Sequence, residues 1–359
     1  MHVVACTDSR GIGGAEISLA HLVTAVDPAI RVDVLGVDAA VVARVVADRP
    51  GTRAVVAPSS RHPALLARLR PDVVHANLAA PWSSPADLAA GLALPRTRVV
   101  AVQQLPLRTV ALPVWLRTRA LLHRLDAHVA VGEASCRRTE DFYALGRGSV
   151  VSIPNCVPDV PLRPRPIRDE GAPLVVGSLG RLDGVKGYDL LLRALTRLPG
   201  VRAVVIGEGA ARAELERLAR ELGVADRVEL PGWAERPAEL LPGFDVFCLP
   251  SRSEGFPLSI VEAMLAALPV VATRVGSVAE LVLDDETGSV VERDDVDGLV
   301  AALQRLRDGG LRDKFGAAGR QRARERYTVE HMARAYEHLW RRVLAAPRTP
   351  RVRPPAPRP

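Results

Sequence analysis

The fold is decided by residues 246–264, which read VFCLPSRSEGFPLSIVEAM. The apolar run over 246–249 predicts a buried strand, and residues 258–267 have the apolar spacing of a helix. Between them lies a loop that carries Glu254. The first backbone N–H groups of a helix have no partner within it and attract anions. The stretch therefore predicts a strand, a loop and a helix, with an anion site where the helix begins.

The same alternation extends along the chain in both directions. Apolar runs rich in Val, Ile and Leu, typical of strands buried on both faces of a parallel sheet, alternate with helix-length segments. The predicted strands are 2–7, 31–35, 53–56, 72–75, 98–102, 128–131, 149–153, 174–178, 202–206, 227–230, 246–249, 270–273 and 288–291. The predicted helices include 14–26, 63–69, 113–125, 133–143, 188–198, 211–222, 258–267 and about 329–344.

Prolines separate the two series of strands, at positions 154, 158, 161, 164, 166 and 173. Proline opposes the interior of helices and strands, so residues 156–172 are predicted to be an interdomain linker. The chain is therefore predicted to hold two doubly wound α/β domains, 1–155 and 173–328. A helix over 329–346 is expected to pack back on the first domain, and the basic, proline-rich tail 347–359 is predicted to be disordered. Ligands of such folds bind at the carboxyl ends of the strands, so a cleft between the domains is the expected site.

Sequence features of export and membrane insertion are missing. No run of about 18 apolar residues occurs, and the first residues lack the features of a signal peptide. The four cysteines, Cys6, Cys136, Cys156 and Cys248, are too far apart for a redox or metal motif. We therefore expect a cytoplasmic protein with reduced thiols.

The net charge of +7 is unevenly distributed over the 359 residues. Residues 1–165 carry 19 basic and 13 acidic side chains, residues 166–330 carry 22 and 27, and residues 331–359 carry seven and one. An acidic half of this size argues against a nucleic-acid-binding protein. The chain has 46 arginines and only two lysines, Lys186 and Lys314.

A glycine-rich turn, GRLDGVKG at 180–187, follows the predicted strand 174–178. Arg181 and Lys186 would place two permanent cations at the end of this strand. A diphosphate carries about two negative charges, which arginine binds in a bidentate manner and lysine as a point charge. A solvated basic turn is the alternative, but Lys186 is one of only two lysines in the chain.

A second glycine-rich loop, SRGIGGAE at 9–16, joins the first strand to the first helix. Glycines let a ligand approach the backbone closely. The spacing differs from the GxGxxG pattern, and the acid expected of a dinucleotide site is missing. A tight turn between strand and helix explains the loop equally well.

Two acids, Glu254 and Glu262, lie eight residues apart in the loop and helix of 246–264. They could accept hydrogen bonds from sugar hydroxyls on either side of a diphosphate. Paired carboxylates also occur in glycoside hydrolases. That alternative leaves Arg181, Lys186 and the helix start without a role, so it ranks lower.

These motifs resemble those of the GT-B-fold retaining glycosyltransferases of family 4, which use nucleotide sugars. The similarity covers nearly the whole chain, and the E-x7-E acid pair is its most specific element. The matching motifs are GGAE at 13–16, PN at 154–155, GRL at 180–182, KG at 186–187, GEG at 207–209, PS at 250–251 and PVVAT at 269–273.

The resemblance implies a fold and an activity. The fold would be two Rossmann-like, doubly wound domains that face each other across a cleft, the first for the acceptor and the second for the donor. A hexose would move from a nucleotide-diphosphate donor, a UDP- or GDP-sugar, to an unidentified acceptor with retention at the anomeric carbon. Neither a metal ion nor another cofactor would be needed.

The resemblance also implies roles for individual residues. Arg181 and Lys186 would hold the diphosphate and stabilise the leaving nucleotide, and with Glu254 they form the predicted catalytic set. Glu262 would bind the ribose hydroxyls. The other predicted donor contacts are Gly13, Gly14, Gly255, Phe256, Pro257 and Leu258. The predicted sugar or acceptor contacts are Glu16, His75, Asn77 and Gln104.

The sequence departs from the family pattern at several positions. Many members have His-x-His where this chain has His75-Ala76-Asn77, and a histidine where it has Gln103-Gln104. An amide forms hydrogen bonds but does not act as a base near neutral pH. The family's Asn-Gly is Asn155-Cys156 here, and Ala267 and Ser277 replace common glycines. A catalytically silent GT-B-like binding protein is therefore one alternative, and a nucleotide-sugar epimerase is a weaker one.

The basic excess lies in the predicted acceptor domain and the tail. An anionic acceptor or an anionic membrane face would fit this charge, which allows a peripheral location at the inner membrane face. Residues 112–124, LPVWLRTRALLHR, combine Trp and Leu with Arg and are the best candidate contact. An ordinary amphipathic helix packed on the sheet is the alternative.

Overall fold

The computed structural model describes residues 1–164, 166, 171–234 and 236–347. Within them the chain forms two compact units, residues 1–154 with 330–347, and residues 155–329. The tail predicted to be disordered lies outside the described residues except for Pro347. Residues 165 and 167–170 of the predicted linker also lie outside them.

The first unit contains seven parallel strands with helices between them. The strands are β1 (His2–Thr7), β2 (Arg31–Gly36), β3 (Arg53–Val56), β4 (Val73–Leu78), β5 (Arg98–Gln103), β6 (Ala127–Ala130) and β7 (Val150–Ser152). The helices are α1 (Gly14–Ala25), α2 (Ala39–Val46), α3 (His62–Leu69), α4 (Pro85–Ala93), α5 (Leu112–Leu122) and α6 (Glu133–Phe142). The sheet order is β3-β2-β1-β4-β5-β6-β7, so the order reverses between β1 and β4.

The second unit contains six parallel strands. They are β8 (Leu174–Leu179), β9 (Val201–Ile206), β10 (Val228–Gly232), β11 (Val246–Leu249), β12 (Val270–Thr273) and β13 (Gly288–Val291). The helices are α7 (Tyr188–Leu195), α8 (Arg212–Glu221), α9 (Leu258–Leu265), α10 (Val278–Leu281), α11 (Val296–Arg305) and α12 (Gly309–Arg326). The order β10-β9-β8-β11-β12-β13 reverses between β8 and β11, where doubly wound sheets bind ligands.

The last helix, α13 (Val329–Ala345), belongs to the first unit from Glu330 onward. Tyr336 and Trp340 of this helix are buried and pack edge-on against His75 of β4, with ring centroids 5.1 and 5.6 Å away. The backbone N–H of Asp27 donates to Oε1 of Glu337 over 2.8 Å. The end of the described chain therefore completes the core of the first unit.

The predicted fold class, two doubly wound α/β domains, is confirmed, and every predicted strand is present. The predicted end of the fourth strand at residue 75 is wrong. Strand β4 continues to Leu78 because all six of its residues are buried and pair with β5. The sequence obscured this extension, since the polar Asn77 interrupts the apolar run.

Ala267 follows the end of α9 in a left-handed conformation, with φ at +56°. The turn is closed by the backbone N–H of Leu268, which donates to the carbonyl of Ala263 over 3.0 Å. This conformation costs a residue with a Cβ about 1–2 kcal/mol, whereas glycine adopts it freely.

The substitution Ala267→Gly is expected to raise the free energy of unfolding by about 0.5–1 kcal/mol, since glycine's greater freedom in the unfolded chain offsets part of the gain. Urea denaturation measures the change. The neighbouring Ala266→Gly serves as the control, because Ala266 has φ at −77° and should lose stability instead. Equal destabilisation by both substitutions would contradict the assignment of strain to Ala267.

Candidate functional site

Three loops meet at the carboxyl edge of the second sheet, and glycines bring their backbones together. Gly187 has φ at +66°, and a Cβ there would collide with the carbonyl oxygen of Pro250, which follows β11. Gly207, after β9, has φ at +154°, and a Cβ there would collide with the carbonyl oxygen of Gly180. Only glycine fits both positions, so the loops after β8, β9 and β11 are held in fixed register.

Asp183 shapes the turn that carries the two predicted cations. Its Oδ1 accepts hydrogen bonds from the backbone N–H groups of Val185 and Lys186, both over 3.1 Å. Its Oδ2 accepts one from Nε of Arg181 over 2.6 Å. The Arg181 side chain is 74% exposed, so its remaining N–H donors face solvent. Asp183 thus fixes the backbone at Lys186 and the direction of the Arg181 side chain.

Lys186 and Glu254 form an ion pair, with Nζ and Oε1 2.7 Å apart. The same Oε1 accepts a hydrogen bond from the buried hydroxyl of Ser251 over 2.7 Å. The two charged side chains are only 20% and 10% exposed. The structure therefore brings together two of the three predicted catalytic residues, in surroundings where a lost partner is costly.

Arg252 connects the Lys186 turn to the Glu254 loop, and the sequence analysis gave it no role. Its guanidinium binds both carboxylate oxygens of Asp189 over 2.7 and 2.8 Å, and Nε donates to Asp294 over 2.7 Å. Its backbone N–H donates to the carbonyl of Val185 over 2.7 Å. Its partners are 63 and 42 residues away along the chain, so no local spacing predicts the contact.

Helix α9 begins at Leu258 with backbone donors that have no acceptor among the described residues, those of Gly255, Phe256, Leu258 and Ser259. The loop before the helix is supported from behind. The carbonyl of Gly255 accepts a hydrogen bond from the backbone N–H of Ser277 over 3.0 Å, and the ring of Phe256 packs edge-on against Tyr327. The helix start is therefore rigid and can bind an anion. Ser277 has φ at −94°, so the replacement of glycine there causes no backbone strain.

Glu262 lies in the second turn of α9, and its carboxylate has no hydrogen-bond or ion-pair partner among the described residues. Burial raises the pKa of its carboxyl group to about 7. A carboxylate without an internal partner, at the edge of the loops described above, is available to accept hydrogen bonds from a ligand.

The predicted residues of the first unit lie around the start of α1 and the end of β4. Gly13 precedes α1, and its N–H donates to Oε2 of Glu16 over 3.0 Å, while Gly14 is the first helical residue. Oε1 of Glu16 is buried without a partner among the described residues. Burial raises the pKa of this carboxyl group, although several N–H and O–H donors partly oppose the shift.

The amides of Asn77 and Gln104 contact each other. Nε2 of Gln104 donates to Oδ1 of Asn77 over 2.8 Å, and Nδ2 of Asn77 donates to the carbonyl of Ala15 over 3.1 Å. His75 is enclosed by protein, and burial lowers its pKa to about 3, so its ring is neutral. The structure thus brings Asn77 and Gln104 together and packs His75 beneath α13. Their contact with a ligand stays a prediction.

Several other findings concern the described residues as a whole. All four cysteines are buried with free thiols. No group of three His, Cys, Asp or Glu side chains in the described ranges is arranged to hold a metal ion. Of the helices that the structure describes, none combines the length and the apolar composition needed to cross a bilayer.

Comparisons with known proteins show which family these features are similar to. Residues 163–322 match the family of glycosyl transferases group 1. A lipopolysaccharide core biosynthesis glycosyltransferase of Rhizobium meliloti, LpsE, is 32% identical over 195 residues, which are 54% of this chain and 55% of LpsE. A GDP-mannose-dependent alpha-(1-6)-phosphatidylinositol monomannoside mannosyltransferase of Mycolicibacterium smegmatis is 37% identical over 179 residues, 45% of this chain and 46% of the relative. The chain thus spans about half the length of these relatives.

Solved structures match over the whole chain. The crystal structure of Anabaena Alr3699/HepE in complex with UDP superposes with a TM-score of 0.82 and 19% identity, over 95% of this chain and 100% of that one. At this identity the likeness establishes the fold. The chain has the two-domain GT-B fold, and most of its second unit, which carries Lys186, Glu254 and Glu262, matches the model of the glycosyl transferases group 1 family.

Proposed function

We propose that this protein is a retaining glycosyltransferase that moves a hexose from a UDP- or GDP-sugar to an acceptor. The observation that carries the proposal is the arrangement in the second unit, where Lys186 pairs with Glu254 beside a helix start whose donors are free. These residues lie within the region that matches the family. One relative that is named as GDP-mannose-dependent and a neighbour whose crystal structure is a complex with UDP support a nucleotide-sugar donor.

The diphosphate of the donor would bind the start of α9 and the two cations. Backbone donors of Gly255, Phe256 and Leu258 supply hydrogen bonds to phosphate oxygens, and the helix dipole adds about half a positive charge. Lys186 adds a point charge, and Arg181 has free donors for a bidentate contact. Transfer breaks the bond between the anomeric carbon and a phosphate oxygen, so charge grows on the diphosphate. Cations already in place stabilise that charge, and in our proposal they act without a metal ion.

Glu262 would hold the nucleoside. An ionised carboxylate accepts hydrogen bonds from two neighbouring ribose hydroxyls, and this one has no competing partner among the described residues. Glu254 would hold the sugar through the carboxylate that pairs with Lys186. In the proposed reaction the acceptor oxygen bonds to the anomeric carbon on the face that the phosphate leaves, and its proton passes to the diphosphate. This route requires no histidine, which agrees with the neutral, bonded amides of Asn77 and Gln104.

A thermal-shift experiment tests the donor class directly. The full chain is heated with UDP, GDP or ADP and with their hexose derivatives. A ligand that binds only the folded protein at 100 times its Kd stabilises it by about 2.7 kcal/mol, so the melting temperature rises. We expect UDP or GDP to raise it and the corresponding sugar to be turned over. No shift with any nucleotide would contradict the proposal, and binding without hydrolysis or transfer would favour the silent alternative.

Arg252 is expected to affect turnover through the geometry of Lys186 and Glu254. In Arg252→Met the two loops lose their side-chain link and keep the backbone hydrogen bond from residue 252 to Val185, and small displacements of a bound donor cost about 10- to 100-fold in rate. Stability should fall by only about 1 kcal/mol, since the ion pairs are partly exposed. Arg202→Met is the matched control, because Arg202 also pairs with an acid, Glu229, but lies near the start of β9, away from the carboxyl edge that carries these loops. Equal losses of kcat in the two variants would show that Arg252 has no specific role.

We propose the class of acceptor from the named activities of the relatives, and the cellular location from the cysteine side chains. Relatives that act in lipopolysaccharide core or phosphatidylinositol mannoside assembly favour a saccharide or lipid-linked acceptor. Four buried free thiols are typical of a reducing compartment, so we place the protein in the cytoplasm. Chromatography of the products formed from radiolabelled donor and candidate acceptors tests the first point.

A further inference from the structure

Helix α5 and its last turn present one exposed stripe to solvent. Its members are Leu112, Pro113, Leu116, Arg117, Ala120, His123 and Arg124. Their spacing is that of a single helical face. Leu112 and Leu116 are 63% and 52% exposed, and Val110 in the preceding loop is 98% exposed. Single exposed apolar side chains are ordinary, but three within seven residues form a patch. We use the name α5 surface for the exposed stripe together with Val110 and Arg108.

The charge of the α5 surface is uncompensated. Residues 105–125 contain four arginines and no acid. Arg108, Arg117 and Arg124 are exposed, and no carboxylate of the described residues lies within ion-pair distance of them. Exposed arginines of the second unit commonly have such partners, as in the pairs Arg202–Glu229 at 2.9 Å and Arg305–Asp285 at 2.7 Å. The α5 surface thus keeps free cations next to exposed apolar side chains.

The opposite face of α5 is firmly attached to the first unit. Nε1 of Trp115 donates to the carbonyl of Phe142 over 2.7 Å. Arg119 donates to the carbonyl of Tyr143 over 3.0 Å and stacks on the Trp115 ring at 5.6 Å. Thr118 and Leu122 are buried. The aromatic and basic residues that face inward are therefore used in packing, and the stripe is held outward on a fixed helix.

We propose that the α5 surface docks on an anionic phospholipid bilayer. Leucine and valine side chains enter the boundary between headgroups and acyl chains, while neighbouring arginines bind lipid phosphates. An RNA or an acidic peptide satisfies the arginines but leaves Val110, Leu112 and Leu116 in water. A purely apolar protein partner would bury the arginines without a counter-charge, which is costly. Only an amphipathic anionic surface satisfies both kinds of side chain.

This inference goes beyond the proposed function and is independent of it. Docking through α5 would hold the first unit at the bilayer whether or not a donor is bound in the second. The catalytic and donor-binding candidates are absent from the α5 surface. Substitutions there are therefore expected to alter lipid binding and to leave nucleotide binding unchanged.

Flotation of the full chain with vesicles tests the proposal. Vesicles of phosphatidylcholine are compared with vesicles in which about a third of the lipid is the anionic phosphatidylglycerol, which gives the surface a negative potential. We expect binding to the second kind only, with an affinity that falls as salt rises. Arg117→Ser/Arg124→Ser is expected to lower the partition coefficient about 30-fold, because each basic group near such a surface contributes about 1 kcal/mol. Leu112→Gln/Leu116→Gln should lower it as well.

The matched control is Arg53→Ser/Arg68→Ser. It removes two exposed arginines of the same unit, away from α5 in sequence and likewise without an acidic partner in the described chain. Retention of near wild-type lipid binding in this control supports a specific surface. Circular dichroism verifies that all variants are folded, which is expected because the changed side chains are exposed.

Three results would overturn the proposal. One is no flotation with phosphatidylglycerol vesicles at low salt. Another is an equal loss in the control, which would show that only net charge matters. The third is undiminished binding in the double leucine variant together with equally tight binding of RNA or heparin, which would show a polyanion site in place of a lipid surface.

Discussion

Replacing Lys186 with alanine is expected to lower the kcat of sugar transfer by about 100- to 1,000-fold, the usual effect of removing one group that stabilises developing charge. Lys186 is the partly buried cation of the pair with Glu254, and no other lysine lies near it in sequence. Initial rates with the donor identified by thermal shift measure the loss. Lys314→Ala is a matched control, because Lys314 is the only other lysine and is exposed on α12. Unchanged kcat in Lys186→Ala would refute its catalytic role.

The substitution Lys186→Ala is expected to lower the stability of the protein as well as kcat, and the two effects must be measured separately. Without Lys186, the buried carboxylate of Glu254 keeps only Ser251 as a partner among the described residues, and a buried charge without a counter-charge is costly. The double variant Lys186→Ala/Glu254→Gln removes that charge and is expected to recover much of the lost stability while turnover remains low. A double-mutant cycle on urea unfolding gives the coupling between the two side chains. Recovery of both stability and turnover would mean that Lys186 is only structural.

Replacing Glu262 with glutamine is expected to stabilise the protein and to weaken nucleotide binding. The folded protein keeps a proton on Glu262 up to about pH 7, whereas the unfolded chain loses it near 4.5. Ionisation therefore costs folding free energy as the pH rises from 4.5 to 7, and the cost is constant above that. Glutamine avoids it, so Glu262→Gln should be more stable by about 1–3 kcal/mol at pH 8 and equally stable at pH 4.5. Urea titrations at both pH values measure the difference.

The same group makes nucleotide affinity depend on pH. Only the ionised form accepts two hydrogen bonds from ribose hydroxyls, so the affinity of the wild type should fall as the pH drops below about 7. Glu262→Gln should bind about 10- to 100-fold more weakly at pH 8, because a carboxylate bond to a ligand contributes about 1.5–3 kcal/mol. Its residual affinity should vary little with pH. Calorimetric titration of both proteins with UDP or GDP decides this, and a wild-type affinity that is level from pH 5.5 to 8.5 would exclude Glu262 from the nucleotide site.

The strands were predictable because both faces of a parallel sheet are buried, which leaves an unbroken apolar run for each strand. The cations and acids near strand ends were predictable for a related reason, since the ends of parallel strands share an edge. Arg252 was not predictable, because its partners Asp189 and Asp294 are distant in sequence. The left-handed conformation of Ala267 was indicated only by the resemblance, which has glycine at both 267 and 277, and the structure shows that only position 267 is left-handed.

The role of α13 has a consequence for synthesis of the chain. The segment 155–329 is continuous and has all its strands once residue 329 has left the ribosome. The earlier segment, 1–154, must wait for Tyr336 and Trp340 to cover His75. Domains usually mature in the order in which they are translated. Here the last helix of the first unit is translated after the whole of the second unit, so we expect the first unit to reach its full stability after the second.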